Sequence, residues 1–313
     1  MARSIEQLLR ELRRDPPLDL VRSSLVVKAA NAGVVVAAAA KACEEHAMRE
    51  LTPELVAAFT ALGAPKRDPG CMGRAAIVHA LHSLEHWAPE VFVVGLTLVQ
   101  LVGPPNEQFD EGAQIRGACA QSHVHLMRPD ALDVCAEMLA DSQSLARLGA
   151  ARGIADSGRI DATALVRYKL ARGPDDGEVL AACFDALFEL RREVGVEVAR
   201  ALLDKTDARA DAAALALGGH RVAEALDDLT KWAARPHALA RKQIAYLALA
   251  LLRSDGGNAA LVDAIRNGSR TNALSAAEAL ATFKQEPAIA ELIKGAANAI
   301  KDRALRAEIL ALI

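Results

Sequence analysis

The chain has 313 residues and a formal net charge of −3; 52% of the residues are apolar and only 3% aromatic. A charge this close to zero creates no general attraction to nucleic acid or to an anionic membrane, and so few rings leave little to stack on bases or sugars. Five scattered cysteines (Cys43, Cys71, Cys119, Cys135, Cys183) contain no C-x-x-C pair, which points to reduced thiols and a cytoplasmic setting rather than a disulfide framework.

From Ser4 to Arg14 the apolar residues Ile5, Leu8, Leu9 and Leu12 recur at helical spacing, and Pro16-Pro17 ends the helix. Met1 to Arg14 has no apolar h-region, so no signal peptide is expected. Residues 1–17 are read as a capping helix over a first hairpin from Asp19 to Met48. The longest apolar run, Gly33 to Ala40, is too short to span a bilayer, and no membrane partner is expected.

Further along, Gly, Pro and Asp punctuate the chain every 12 to 18 residues, and one pattern returns. It is a small or apolar pair in a helix with an Arg three residues before it. It reads GRAAIVHAL (73–81), IRGACAQ (115–121), ARLGAARGI (146–154), VLAACFDAL (179–187), ARADAAALAL (208–217), ARKQIAYLAL (240–249) and NALSAAEAL (272–280). The first members of the pairs, Ile77, Cys119, Ala150, Cys183, Ala212, Ile244 and Ala276, are separated by 42, 31, 33, 29, 32 and 32 residues. Weaker copies lie near Ala37 and Ile309, and residues 298–313 are read as a C-terminal cap. A period of about 30 fits two short helices and two turns, a unit that buries its apolar face only by stacking on its neighbours. The 42-residue step holds an insertion, Val102 to Gly112, with Pro104, Pro105 and an acidic EQFDE run, read as a long surface loop.

Asp68/Arg74, Asp110/Arg116 and Asp141/Arg147 are each six apart, giving D-x5-R-x2 followed by two small or apolar residues. This resembles the second helix of HEAT repeats, above all the short bacterial class related to phycobilisome-lyase HEAT-like repeats, over roughly residues 20–313. The resemblance implies a single-domain, all-α fold, a right-handed α-α superhelix of eight or nine hairpins with the second helices on its concave side. It also implies that these six residues form a structural ladder between repeats. Leu180 and Ala273 stand where the pattern has Arg, and the later repeats lack the Asp. The motif speaks to fold and leaves function open.

At 100° per residue, positions +1, +3, +4 and +7 from each anchor are expected to be buried, and +2, +5 and +9 to face outward. Position +9 reads His86, Arg128, Arg159, Arg192, Arg221, Arg253 and Gln285. Two readings stand side by side. Five successive arginines would complement the negative ends of the second helices, or they would form a basic ridge for an acidic partner. Residues 231–313 carry 12 Lys/Arg against 7 Asp/Glu, a net of +5, so the remainder is −8. His79, His82 and His86 share the outward face and are candidate partner contacts. They span about 10.5 Å along the axis, too far for one tetrahedral ion to take all three. Tyr246 is placed on the outward +2 position. Cys119 and Cys183 occupy anchor positions as small core residues.

Among the enzymes built on HEAT-like helices, deoxyhypusine hydroxylases use repeated His-Glu dipeptides, and the chain has none. No residue carries a lyase signature, and the few aromatics do not line up as in HEAT-like DNA glycosylases. The expectation is a non-enzymatic scaffold or adaptor without cofactor. It would hold a protein with an acidic segment along its concave face, with nucleic-acid binding along the arginines as the alternative.

Overall fold

The structure, a computed structural model, describes residues 5–27 and 32–313. The expected helix start at Ser4 and residues 28–31 of the expected Asp19–Met48 hairpin lie outside them. Among the described residues there are nineteen α-helices and one pair of two-residue strands. No helix among them is long and apolar enough to cross a membrane. The chain forms two compact units, Met1–Leu165 and Val166–Ile313.

The first unit contains α1 (Ile5–Leu12), α2 (Leu18–Leu25), α3 (Ala32–Glu45), α4 (Thr52–Ala61), α5 (Met72–Ser83), α6 (Pro89–Leu96), α7 (Ala113–His125), α8 (Ala131–Met138) and α9 (Ser144–Asp156). Here α2/α3, α4/α5, α6/α7 and α8/α9 pack together as hairpins, and α3, α5, α7 and α9 pack side by side as a row of second helices. The helix α10 (Thr163–Arg172) carries the division between the units.

The second unit contains α11 (Gly177–Leu190), α12 (Arg192–Leu202), α13 (Ala208–Gly219), α14 (Leu226–Ala234), α15 (Leu239–Leu251), α16 (Asp255–Asn267), α17 (Arg270–Ala281), α18 (Pro287–Asn298) and α19 (Arg303–Leu310). Its hairpins are α12/α13, α14/α15, α16/α17 and α18/α19, and α11, α13, α15, α17 and α19 form its row. Each unit is therefore a HEAT-like stack of helical hairpins. Residues 298–313 hold one helix, α19, which pairs with α18.

Local chemistry sets the helix ends. Asp176, Asp207, Ser254, Ser269 and Asp302 accept backbone N–H bonds at helix starts. At the other end, second helices close with a left-handed residue: Ala47, Glu85, Met127, Gly158, Arg221 and Arg253 all have φ between 50° and 61°. The following residue donates back across the last turn, as in Met48 N to Cys43 O, His86 N to Leu81 O, Arg128 N to His123 O and Val222 N to Leu217 O. One termination motif thus recurs after six of the nine helices in the two rows.

The insertion is more ordered than a surface loop. Leu101–Val102 (β1) pairs antiparallel with Phe109–Asp110 (β2). Gly103 takes φ 115°, a conformation open to glycine, and its missing side chain leaves room for the Glu107 carbonyl. The Asp110 carboxylate accepts from Gln100 N and Gly112 N, both at 3.0 Å, and pins the strand pair to the start of α7.

Neighbouring second helices meet backbone to backbone. A Cβ on Gly149 of α9 would overlap the Gly117 backbone of α7, and one on Gly117 would lie 2.5 Å from the Leu145 carbonyl oxygen. Gly149→Ala should lower stability by about 1–3 kcal/mol through overpacking, although alanine is the better helix former by about 1 kcal/mol. Urea denaturation measures this, and a stabilised variant would refute the crossing.

Candidate functional site

Three charged groups fix the turns inside the hairpins of the first unit. The Asp68 carboxylate accepts from Gly73 N and Arg74 N, both at 3.0 Å, and from Arg74 Nε at 3.3 Å. Both side chains are almost wholly buried. Arg74 also donates through Nη2 to the Gln100 side-chain oxygen, while Gln100 Nε2 donates to the carbonyls of Asp68 and Pro69, each at 2.7 Å. Arg116 reaches two carboxylates. Nη1 donates to Asp110 Oδ2 at 2.8 Å, while Nε and Nη2 make a fork onto Asp141 at 2.8 and 3.0 Å. Arg147 Nη1 donates to the carbonyls of Asp141 and Ser142, each at 2.8 Å. Burial alone would raise the Asp141 carboxyl, but the Arg116 fork and the Gln143 N–H outweigh it and hold the group below its ordinary value.

The second unit uses comparable pairs that the six-residue spacing does not reveal. Arg241 of α15 forks onto Asp211 of α13 at 2.6 and 3.1 Å. Arg209 bonds Asp207, which holds that carboxyl down at about 2, and extends to the Leu170 carbonyl at 3.2 Å. Arg270 of α17 pairs with Asp302 and Glu308. For Arg241 and Arg270 the acids lie 30 or more residues away in sequence, and for Arg209 only two, so a search at six-residue spacing passes over all three.

The outward faces follow the expected wheel in α5: Ile77, Val78, Ala80 and Leu81 are buried and His79 is exposed. In α13 and α15 the register is one residue later. Ala213, Ala214 and Leu217 are fully buried, whereas Ala212 and Leu215 face a cleft. In α15 Ala245 is fully buried beside Ile244. Tyr246 therefore turns into the core, at 6% exposure, and is not an outward contact. The runs of alanine in ADAAALAL gave neighbouring positions equal claim to the anchor.

The ends of the second helices break up the arginine ridge. Arg221 and Arg253 are the left-handed residues of their turns, while Arg128 and Arg159 come one residue after theirs. Arg192 begins α12. All five lie beyond the second helices rather than on the helices' outward faces. Four have partners inside their own unit. The Arg128 guanidinium lies 4.4 Å from the Trp87 ring centre, and Trp87 stacks on Phe92. Arg159 pairs with Asp161 at 2.6 Å, Arg192 donates to the His220 carbonyl at 3.0 Å, and Arg253 pairs with Glu286 and lies over Phe283.

The histidines divide as well. His82 stacks on His125, with ring centres 4.0 Å apart, and its Nδ1 lies 3.1 Å from Ser122 Oγ. That hydroxyl donates to the Ala118 carbonyl, so it accepts from His82. His79 is exposed nearby, and His86 sits in the turn after α5. A matching stack joins Phe188 of α11 to His220 of α13, at 4.1 Å. The recurrence of a ring near the ends of adjacent second helices was the available clue to His125 and His220. Among the described residues no three His, Cys, Asp or Glu side chains are grouped to hold a metal ion. The five cysteine side chains are buried, and burial pushes their thiols up, Cys43 to about 12, so they stay protonated at neutral pH.

Two clefts open on the second-helix rows, one in each unit. The first, of about 830 Å³, runs over α3 and α5 beside α1, floored by Ala37, Ala38, Ala75 and Ala76 and walled by Val34 and Met72. Lys41, Glu44 and His79 edge it. The second, of about 520 Å³, crosses α11, α13 and α15 over Ala181, Ala208, Ala212, Ala216 and Gly219, with Leu215 and Ile244 rising from the floor. Asp185, Asp211 and His220 supply its polar edge, and His220 Nε2 lies 2.9 Å from Asp185 Oδ1.

No family model and no curated protein matches the chain. Several solved structures resemble it, two of them as follows. One is the complex of CpcE and CpcF of phycocyanin lyase from Nostoc sp. PCC7120, with 15% identity, TM-score 0.37, 95% of this chain and 96% of that one covered. The other is an engineered protein, with 17% identity, TM-score 0.43, 96% of this chain and 91% of that one covered. The architecture rests on the hairpins themselves rather than on either likeness.

Arg116→Met would leave two buried carboxylates without their shared cation, and should cost about 3–5 kcal/mol in urea denaturation. A loss below about 1 kcal/mol would show that the Arg116 bridge is not needed. His82 titrates separately. Burial first, and then the neighbouring His125 and His79, lower it from 6.5 to about 4. The folded state thus resists a proton that the unfolded chain accepts. This stability is complete above pH 6.5 and is lost as pH falls toward 4. His82→Phe should flatten the fall in urea midpoint across that window; an unchanged slope would clear His82 as its source.

Proposed function

We propose that the chain is a binding protein that holds a segment of another protein against the exposed faces of its second helices. The observation that carries this reading is the apolar-floored cleft on the second-helix row of each unit. Each cleft is open to solvent and carries four alanines in its lining; charged groups line the first as well, at Arg13, Lys41, Glu44 and Glu45, and the second at Asp185 and Asp211. Such a surface suits an inserted segment better than a small substrate, which needs convergent polar groups to orient it.

The turn arginines offer less support, because four of the five are engaged within their own units. Phosphate contact on the second row is disfavoured by Asp185, which edges the cleft, and by Glu178 and Glu189 on the same face of α11. This favours protein over nucleic acid.

Photo-crosslinking residues placed at Ala76, Ala181 and, as a control, the exposed Val93 of α6 test the role in cells that make the protein. Crosslinks to a defined protein are expected from Ala76 or Ala181 and not from Val93. Crosslinks confined to Val93 would refute the placement.

A further inference from the structure

We infer that the cleft across α11, α13 and α15 takes a cationic amphipathic helix, its large apolar side chains in the cleft and its lysines or arginines along the α11 edge; this rests on the binding role above. The floor is built from Ala181, Ala212, Ala216 and Gly219. Small residues leave depth that only large side chains from the partner can fill. All three walls are helices. They expose no unpaired strand edge, so an extended peptide has no backbone to pair with and the occupant is itself a helix. Adjacent helices lie 8–10 Å apart, so three of them give a cleft about 16–20 Å long, room for roughly 11–13 helical residues.

The charge at the edge chooses the sign. Asp185 has a side chain 61% exposed, and Glu178 and Glu189 lie on the same face of α11. Asp211 is already neutralised by the Arg241 fork. His220 Nε2 lies 2.9 Å from one Asp185 oxygen, Oδ1, and leaves the carboxylate open to solvent. The α11 edge therefore presents three carboxylates to a bound helix.

The test uses the full chain and two synthetic peptides of about 18 residues, a length at which helix formation is practicable. Both carry leucine at i, i+3, i+4 and i+7; one has lysine at the other positions and one has glutamate. In fluorescence anisotropy the lysine peptide should bind at least about tenfold tighter than the glutamate peptide, with the preference shrinking in about 1 M salt. Ala181→Trp, at an exposed position, should weaken the lysine peptide about tenfold by filling the cleft. Asp185→Lys should weaken it and strengthen the glutamate peptide. Melting curves check that both variants fold. Equal binding of the two peptides, or an Ala181→Trp variant that binds the lysine peptide undiminished, would overturn the inference. So would concentration-dependent self-association of the wild type abolished by Ala181→Trp, since the occupant would then be a second copy. A crosslinked partner whose contacting segment is acidic or extended would sink this inference and leave the broader binding role standing.

Discussion

The contact between Gly117 and Gly149 sets the spacing of α7 and α9, because neither helix has a side chain to hold the other away. In the second unit Gly218 of α13 faces the Ala248 backbone of α15 in the same way. Helices this close bury mostly backbone and methyl groups between them. That explains why alanine dominates the composition. It also explains why the outward faces of the rows open as apolar-floored clefts: the residues small enough to permit the crossing leave little to project from the floor.

Close approach has an electrostatic companion. Carbonyls and N–H groups at the turns would be desolvated by the neighbouring hairpin, and the arginine–aspartate bridges supply partners for them. Arg116 does this for three groups at once, Asp110, Asp141 and the Leu98 carbonyl. A bridge of this kind is directional, so it fixes register where smooth alanine faces could slide. The second unit reaches the same end with Arg241 and Arg270, whose acids lie elsewhere in sequence, and with Arg209, which bonds the nearby Asp207 and the Leu170 carbonyl.

The hairpin stack was legible because its signal is periodic: a pair near every thirtieth residue survives weak individual copies. Finer placement depended on which residue of each pair faced inward. Around Ile77 and Cys183, flanking polar residues resolve that choice. After Ala212 and Ile244 the sequence stays apolar for several residues, and a slip of one residue moves a side chain by 100°, enough to send Tyr246 inward. The arginines were misplaced for another reason. A wheel assumes the helix continues, and here it stops at a left-handed residue before reaching them. Asp185 and His220 could not be paired in advance, since they meet only through the packing of α11 on α13.

Gln100 gives the long repeat a character of its own. Its amide stands opposite Arg74 where the next repeat presents a carboxylate to Arg116, so the strand pair that carries it is part of the interior wiring of the first unit. Trimming that repeat to the common length would disturb the Gln100 contact and leave the sunken Arg74 guanidinium with Asp68 as its one carboxylate partner. The residue just ahead of the insertion thus stands in for a missing acid, and a shorter version of this repeat would have to keep Gln100 in place or restore the acid.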